Sequence, residues 1–141
     1  MTDPMTAIDQ VRERQHEGRW TQALVWFLRA AAGISLVKGL YHWAVVIGIG
    51  DGHASAFEAS PVAFQAATIF FAVIDLVAAV GLWLAAAWGG VVWLTAAISM
   101  AAIALFFPQI YGAGILIAMA ELVAISLYVV FAYMASRERA G

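Results

Sequence analysis

Four long apolar segments constrain the fold more than any other feature of the sequence. They occupy residues 23–49, 62–86, 88–107 and 112–134, and each has at least the roughly 20 residues that a helix needs to cross a hydrocarbon core. Lipid offers backbone N–H and C=O groups no hydrogen-bond partner, so membrane-spanning segments of this kind are helical. The sequence therefore predicts an all-α membrane protein whose residues 23–134 form a four-helix transmembrane bundle.

The composition agrees with a membrane protein and excludes several functional classes. Hydrophobic residues make up 65% of the chain, charged residues only 11%, and the mean hydropathy is +0.90, whereas about a quarter of the residues in soluble domains are charged. Four spans use most of the 141 residues, which leaves no room for a soluble catalytic domain. A formal charge of −2 gives no basic patch for nucleic acid. The absence of cysteine excludes disulfides, thiolate metal sites and thiol catalysis.

Polar segments flank the four spans. We expect residues 1–22 to form a cytoplasmic leader that is retained in the mature protein, and residues 135–141 to form a cytoplasmic tail. Asp3 and Pro4 are typical of a helix start, so the leader is either a short amphipathic helix on the membrane surface or a solvated tail.

The positions of the cations predict the orientation in the membrane. Arginines lie before the first span and after the last, whereas the loop Asp51–Pro61 contains neither lysine nor arginine. Cytoplasmic flanks of membrane proteins are enriched in these cations, so both termini should face the cytoplasm. Gly89 and Gly90 are expected to permit the tight reversal between the second and third spans, and Trp93 is expected at the membrane interface with other tryptophans.

Three charged residues interrupt the apolar segments at a similar depth. Counted at about 1.5 Å per residue from the predicted external ends, Lys38, Asp75 and Glu121 lie roughly 14–19 Å inside the membrane. Each would cost about 2.5–3.5 kcal/mol if it faced lipid alone. We therefore predict that the three side chains are mutual partners in a buried charge network.

Further polar residues are candidates to support this network. Helical spacing groups several of them with the charged residues on the same faces. The candidates are Arg29, Ser35, Tyr41, His42, Gln65, Thr68, Thr95, Ser99 and Tyr128. Arg29 lies closer to the cytoplasm and could instead extend to the inner headgroups. With Arg29 included, the four charges in the apolar segments sum to zero, which favours a closed structural network over a one-sign ion pore.

The network has two interpretations. It could fix helix register and rotation without transport, or at least one carboxylate could carry protons or couple to a substrate. His42 is expected to pack and to donate to a backbone carbonyl, with a role as proton relay as the alternative. Asp51, His53 and Glu58 are a weak match to a metal site, so we predict neither a metal nor a cofactor.

Several stretches of the chain carry a resemblance to known families. The run "IDLVAAVGLWLAAAWGGVVWLTAA", the turn "FFPQIYGAG" and the end "LYVVFAYMASRERA" resemble small four-helix bacterial inner-membrane proteins of unknown function. The first span, "FLRAAAGISLVKGLYHW", is also similar to DoxX-like four-helix proteins, in which an acidic residue is usual in the second span, and Asp75 occupies a comparable position. The resemblance implies the four-helix fold and a bacterial inner-membrane location, and it implies no activity.

Two functional hypotheses follow, and neither is an enzyme. The first is a non-enzymatic accessory or scaffold subunit that packs against a larger membrane complex or associates with itself. The alternative is a small oligomeric proton-coupled transporter or exporter, with Asp75 or Glu121 as the protonatable site and Lys38 as the switching counter-ion. A redox helper linked to quinone or lipid is a distant third hypothesis.

Overall fold

The structure is a computed structural model that describes residues 3–15, 18–49 and 54–141. These residues form six helices: α1 (Pro4–Gln15), α2 (Arg19–Ile47), α3 (Ala54–Glu58), α4 (Val62–Trp83), α5 (Ala87–Phe106) and α6 (Gly114–Ala140). The described part of the chain contains no strand. The helices α2, α4, α5 and α6 are long and apolar enough to cross a membrane, which confirms the predicted all-helical class and the number of candidate spans.

The four long helices form a closed ring. Helix α2 packs against α4 and α6, and α5 packs against the same two helices on the other side. Because short connections join consecutive long helices, each helix is antiparallel to its neighbours. One end of the bundle, the termini end, holds the start of α2 and the end of α6. The opposite end, the loop end, holds residues 107–113 and the start of α4.

The helices at the termini end are longer than the predicted spans. Helix α2 begins at Arg19 instead of residue 23, and α6 continues to Ala140 through the predicted tail 135–141. The ends of these helices therefore differ from the ends of the predicted spans, while the leader and tail boundaries relative to the membrane stay a prediction. The physical reason is a contact between the two ends: the Glu138 carboxylate accepts hydrogen bonds from the first backbone N–H groups of α2.

The reversal between α4 and α5 occurs at Ala85 and not at Gly89 and Gly90, where we predicted it. Ala85 has a φ of 51°, the left-handed conformation that commonly ends a helix. The N–H of Ala86 bonds to the carbonyl of Gly81 at 3.0 Å. Gly89 and Gly90 lie inside α5 instead of in the turn, because their missing side chains serve helix packing.

Glycines bring neighbouring helices into backbone contact. A Cβ on Gly89 would collide with the backbone of Gly81 across the α4–α5 interface, and one on Gly114 would collide with the Ala104 carbonyl oxygen across the α5–α6 interface. Close approach of this kind increases van der Waals contact where no hydrophobic effect drives helices together.

An aromatic group fills the bundle core toward the termini end. Trp93 is only 6% exposed, and its ring lies 6.0 Å from that of Phe27 and 5.6 Å from that of Tyr128. The predicted interfacial position of Trp93 is therefore wrong: residue 93 falls on the face of α5 that packs inward. Trp83 and Trp88, by contrast, are exposed.

The outer surface of the bundle is apolar, as a lipid-facing surface needs to be. Large hydrophobic side chains are exposed along all four long helices, and α6 has the smallest buried share. Helix α1 corresponds to one of the two alternatives that we gave for the leader, and the Met5 N–H bonds to Asp3 Oδ1 at 3.3 Å at its start. Its placement on a membrane surface stays a prediction. Asp51 and His53 lie outside the described residues.

Candidate functional site

The three charged residues of the apolar segments meet between α2, α4 and α6. Lys38 Nζ donates a hydrogen bond to Glu121 Oε1 at 2.7 Å and lies 3.9 Å from Asp75 Oδ1. Each helix contributes one charge, so the cluster joins three elements that are distant in sequence. We call Lys38, Asp75, Glu121 and the adjacent His42 the charge cluster.

Asp75 is the most buried and least satisfied member of the charge cluster. Its side chain is 1% exposed, and neither carboxylate oxygen has a hydrogen-bond partner in the described structure. His42 Nδ1 is 3.9 Å from Asp75 Oδ2, but the same nitrogen lies 2.8 Å from the Lys38 carbonyl oxygen and therefore carries a hydrogen that it donates there. A buried carboxylate without donors is costly. The charge of the site therefore depends on whether Asp75 is protonated.

Arg29 does not join the charge cluster. Its guanidinium lies 5.7 Å from the centre of the Trp83 ring toward the termini end, which agrees with the alternative that we gave for it. Without Arg29, the charges of Lys38, Asp75 and Glu121 no longer sum to zero: one cation faces two carboxylates. The cluster is neutral only when it also holds one proton, on one of the two carboxylates or on His42.

A second group of polar atoms lies between the charge cluster and the loop end. The hydroxyl oxygens of Thr68 and Tyr111 are buried, and neither meets a partner in hydrogen-bond geometry within the described part of the chain. Burial raises the pKa of Tyr111 above its ordinary value, and the nearby Thr68 hydroxyl opposes that rise. Tyr111 therefore keeps its proton at neutral pH and is a competent hydrogen-bond donor.

A narrow cleft exposes one side of the charge cluster. The cleft lies between α2 and α6, has a volume of about 110 Å³, and is lined by residues that include Ser35, Trp93 and Ala124. Lys38 is 27% exposed and Glu121 14% exposed. The ion pair is thus accessible from the lipid-facing side of the bundle, whereas Asp75 is not.

The remaining candidates on α2 and α4 divide between the interior and the surface. Ser35 is buried one turn from Lys38, as the helical spacing predicted. Tyr41, in contrast, is exposed and contacts the edge of the His42 ring at a centroid distance of 5.7 Å. Gln65 donates hydrogen bonds to the carbonyls of Glu58 and Ser60, so it fixes the loop before α4 and does not support the charge cluster.

The candidates on α5 and α6 also lie apart from the charge cluster. Thr95 is exposed and donates to the Val91 carbonyl of its own helix at 2.9 Å. Ser99 is half-buried. Tyr128 packs in the aromatic group near the termini end, and its hydroxyl points at Gly90. Spacing alone grouped these residues with the network, but helix rotation and depth separate them from it.

Sequence reasoning missed Glu138, which closes the bundle at the termini end. Its carboxylate accepts hydrogen bonds from the N–H groups of Trp20 at 3.1 Å and Thr21 at 3.0 Å. A carboxylate at this position satisfies unpaired N–H groups and the positive end of the helix dipole. Gly18 leaves room for the Glu138 carboxylate, since a Cβ at position 18 would collide with it. An acidic residue between two arginines gave no signal of this role.

Sequence reasoning also missed the inward position of Tyr111. A turn residue has no periodicity that could reveal its inward direction. Among the described residues, no group of three histidine, cysteine, aspartate or glutamate side chains could hold a metal ion.

Comparison with known proteins identifies the family but not an activity. Residues 22–139 match the model of a family of unknown function, DUF6163, and the chain therefore belongs to that family. This confirms the resemblance to an uncharacterised family, while the similarity to DoxX-like proteins stays a prediction. No curated protein and no solved structure matches the chain.

Proposed function

We propose that this member of DUF6163 is a small multi-pass membrane protein that couples proton binding at Asp75 to transport. One observation carries the proposal: Asp75 buries both carboxylate oxygens without a hydrogen bond, while Lys38, the single lysine of the sequence, is already bonded to Glu121. In a purely structural network Asp75 adds only a weaker contact than Glu121 does, because this unsatisfied carboxylate lies 3.9 Å from Lys38 instead of 2.7 Å. A proton-binding site requires such a group, because its charge must be able to change.

The geometry also supports a way to link the proton to helix movement. When Asp75 is neutral, Lys38 pairs with Glu121 on α6 at 2.7 Å. When Asp75 loses its proton, its negative charge attracts the Lys38 ammonium across the present 3.9 Å. Lys38 can therefore exchange partners between α6 and α4, and the proton decides which helix holds α2 more tightly.

The first test is proton flux in liposomes that contain the purified protein and a pH-sensitive dye. After a pH step, wild-type liposomes should equilibrate faster than protein-free liposomes. Asp75→Asn should abolish the difference, because an amide keeps the shape of the side chain but cannot cycle charge. Glu58→Gln is the matched control, since Glu58 is an exposed carboxylate at the loop end, and it should retain the flux. Equal flux with and without the wild-type protein would refute a proton-coupled role.

We place the protein in the bacterial inner membrane with both termini in the cytoplasm. Two observations support this orientation of the termini: arginines concentrate near them, and the Glu138 contact with Trp20 brings them to one end of the bundle. Because the chain has no cysteine, a Ser55→Cys variant gives a clean probe. An impermeant thiol reagent outside intact cells should label it, and labelling only after membrane rupture would reverse the orientation.

An accessory subunit is the second candidate function, and the cleft between α2 and α6 favours it. This cleft exposes part of the Lys38–Glu121 pair toward lipid, and a helix of a partner protein could cover it. Purification in mild detergent should then recover one partner in fixed ratio, and Ala124→Trp, which fills the cleft, should release it. Recovery of the protein alone would argue against this candidate.

A further inference from the structure

We propose that Thr68, Tyr111 and Asp75 bind a short chain of internal water molecules that connects Asp75 to the loop end of the bundle. This inference rests on the proposed function, because the water would deliver the proton that Asp75 exchanges. Beyond the proposed function, it states that the bound ligand is water and that this water enters from the loop end.

The first support is the set of buried oxygen atoms without partners. Thr68 Oγ1, Tyr111 Oη and both carboxylate oxygens of Asp75 are buried and lack a hydrogen bond in the described structure. Buried polar groups in proteins are nearly always satisfied by protein or by ordered water, and a buried water usually makes about three hydrogen bonds. Two hydroxyls that can donate or accept, next to a carboxyl group, form a suitable environment for water.

The second support is the alignment of these groups along the bundle. Thr68 precedes Asp75 by seven residues, so it lies on the same face of α4 and about 10 Å nearer to the loop end. Tyr111 belongs to the loop-end connection, and its ring centre is 6.5 Å from that of His42. His42 in turn lies 3.9 Å from Asp75. The polar atoms thus lead from the loop end to the charge cluster, over a distance that two or three waters could span.

The third support is an opening at the outer end of this path. A cleft of about 420 Å³ lies at the loop end between the start of α4 and residues 107–110, and Phe64 and Ile110 line it. The ring of Phe64 is 6.0 Å from that of Tyr111. The apolar group of Ala67, Phe71 and Met100 packs against Ile110 and Tyr111 beside this cleft, so water reaches the buried oxygens when these side chains move.

The opposite direction is closed by apolar packing. Between the charge cluster and the termini end, the core contains Ala32, Ala78, Leu82 and Trp93, with further aromatic rings packed around them. Helix α5 has no ionisable side chain, so the groups that face Asp75 are Lys38 and His42 from α2, Glu121 from α6 and Tyr111. The polar side chains in this direction are Ser35 and Tyr128, and neither hydroxyl is among the buried oxygens that lack a hydrogen-bond partner in the described structure. Water should therefore reach Asp75 from the loop end.

Thiol reactivity tests the water path without reference to proton transport. In liposomes or cells of known orientation, Thr68→Cys should react with a small impermeant thiosulfonate added at the loop end, since a thiol needs water to ionise and react. Thr95→Cys is the matched control: Thr95 is exposed on the lipid-facing side of α5 and should react at least about tenfold more slowly, because lipid keeps its thiol protonated. Equal, slow reaction at both positions, or faster reaction from the termini end, would overturn the inference.

Deuterium exchange provides a second test that separates this inference from the proposed function. The carbonyl stretch of a protonated Asp75 can be followed by infrared spectroscopy as solvent is changed to D₂O. Tyr111→Phe should slow the shift of this band by about tenfold or more, since a positioned proton carrier is lost, whereas Tyr133→Phe, at an exposed tyrosine of α6, should not. An Asp75 band with equal exchange in both variants would refute the path alone. Absence of the band in wild type would refute the proton on Asp75, and thiol reactivity would still decide the water path.

Discussion

Replacement of Lys38 by methionine should be the most destabilising single substitution in the charge cluster. Methionine preserves most of the side-chain volume but removes the cation that faces Glu121 at 2.7 Å and Asp75 at 3.9 Å. With an effective dielectric constant of about 20, those separations correspond to attractions of about 6 kcal/mol to Glu121 and, when Asp75 is ionised, about 4 kcal/mol to Asp75. Desolvation of the ammonium offsets a large part of both, so we expect a net loss of about 3–5 kcal/mol, the usual result when one partner of a buried pair is removed.

Glu121→Gln should cost less, because Asp75 can then release its proton and serve as the counter-ion of Lys38, so that the remaining charges balance. In the double variant Lys38→Met/Glu121→Gln, the loss should be smaller than the sum of the single losses by about 2–3 kcal/mol. The destabilisation of Lys38→Met should also shrink as the pH falls, since protons can neutralise the carboxylates that the substitution leaves unpaired.

Unfolding in mixed detergent micelles, followed by circular dichroism, measures these free energies. Arg29→Met is the matched control, because Arg29 is a cation of the same helix that contacts Trp83 and not the charge cluster. It should cost no more than about 1 kcal/mol and should add to Glu121→Gln without coupling. The geometry of the cluster would be refuted if the losses from Lys38→Met and Glu121→Gln were strictly additive. It would also be refuted if Arg29→Met coupled to Glu121→Gln as strongly as Lys38→Met does.

Three further predictions concern the fold. Ala85→Gly should stabilise the protein by about 0.5–1 kcal/mol in the same assay, because glycine adopts the left-handed φ of 51° without strain; a loss of stability would contradict the turn. Gly89→Ala should destabilise the protein by about 1–3 kcal/mol, because the new methyl group collides with α4. Gly33→Ala should not destabilise it, because the space around a Cβ at position 33 is open. Glu138→Ala should cost about 1 kcal/mol by removing the cap of α2, and an unchanged unfolding midpoint would show that the two ends do not meet.

The sequence predicts the helices and the depth of the charged residues because both depend on local properties. Apolar length decides where a helix can cross lipid, and a fixed rise per residue gives the depth of Lys38, Asp75 and Glu121. These three side chains are expected to meet because a lone charge in lipid is costly. That cost does not depend on the details of packing either.

Other features depend on rotation and on contacts between distant residues, which no local pattern contains. Thr95 and Tyr128 have suitable spacing, yet rotation of their helices directs them elsewhere. Tyr111 turns inward from a connection without periodicity. Glu138 reaches α2 across 117 residues of sequence. Such contacts become visible only when the helices are placed side by side.

The proton on Asp75 is the central claim, and infrared spectroscopy of the purified protein at neutral pH tests it most directly. The wild type should show the carbonyl band of a protonated carboxylic acid, Asp75→Asn should lack it, and Glu58→Gln should retain it. If the wild type shows no such band, or if the band persists unchanged in Asp75→Asn, then Asp75 does not hold the proton.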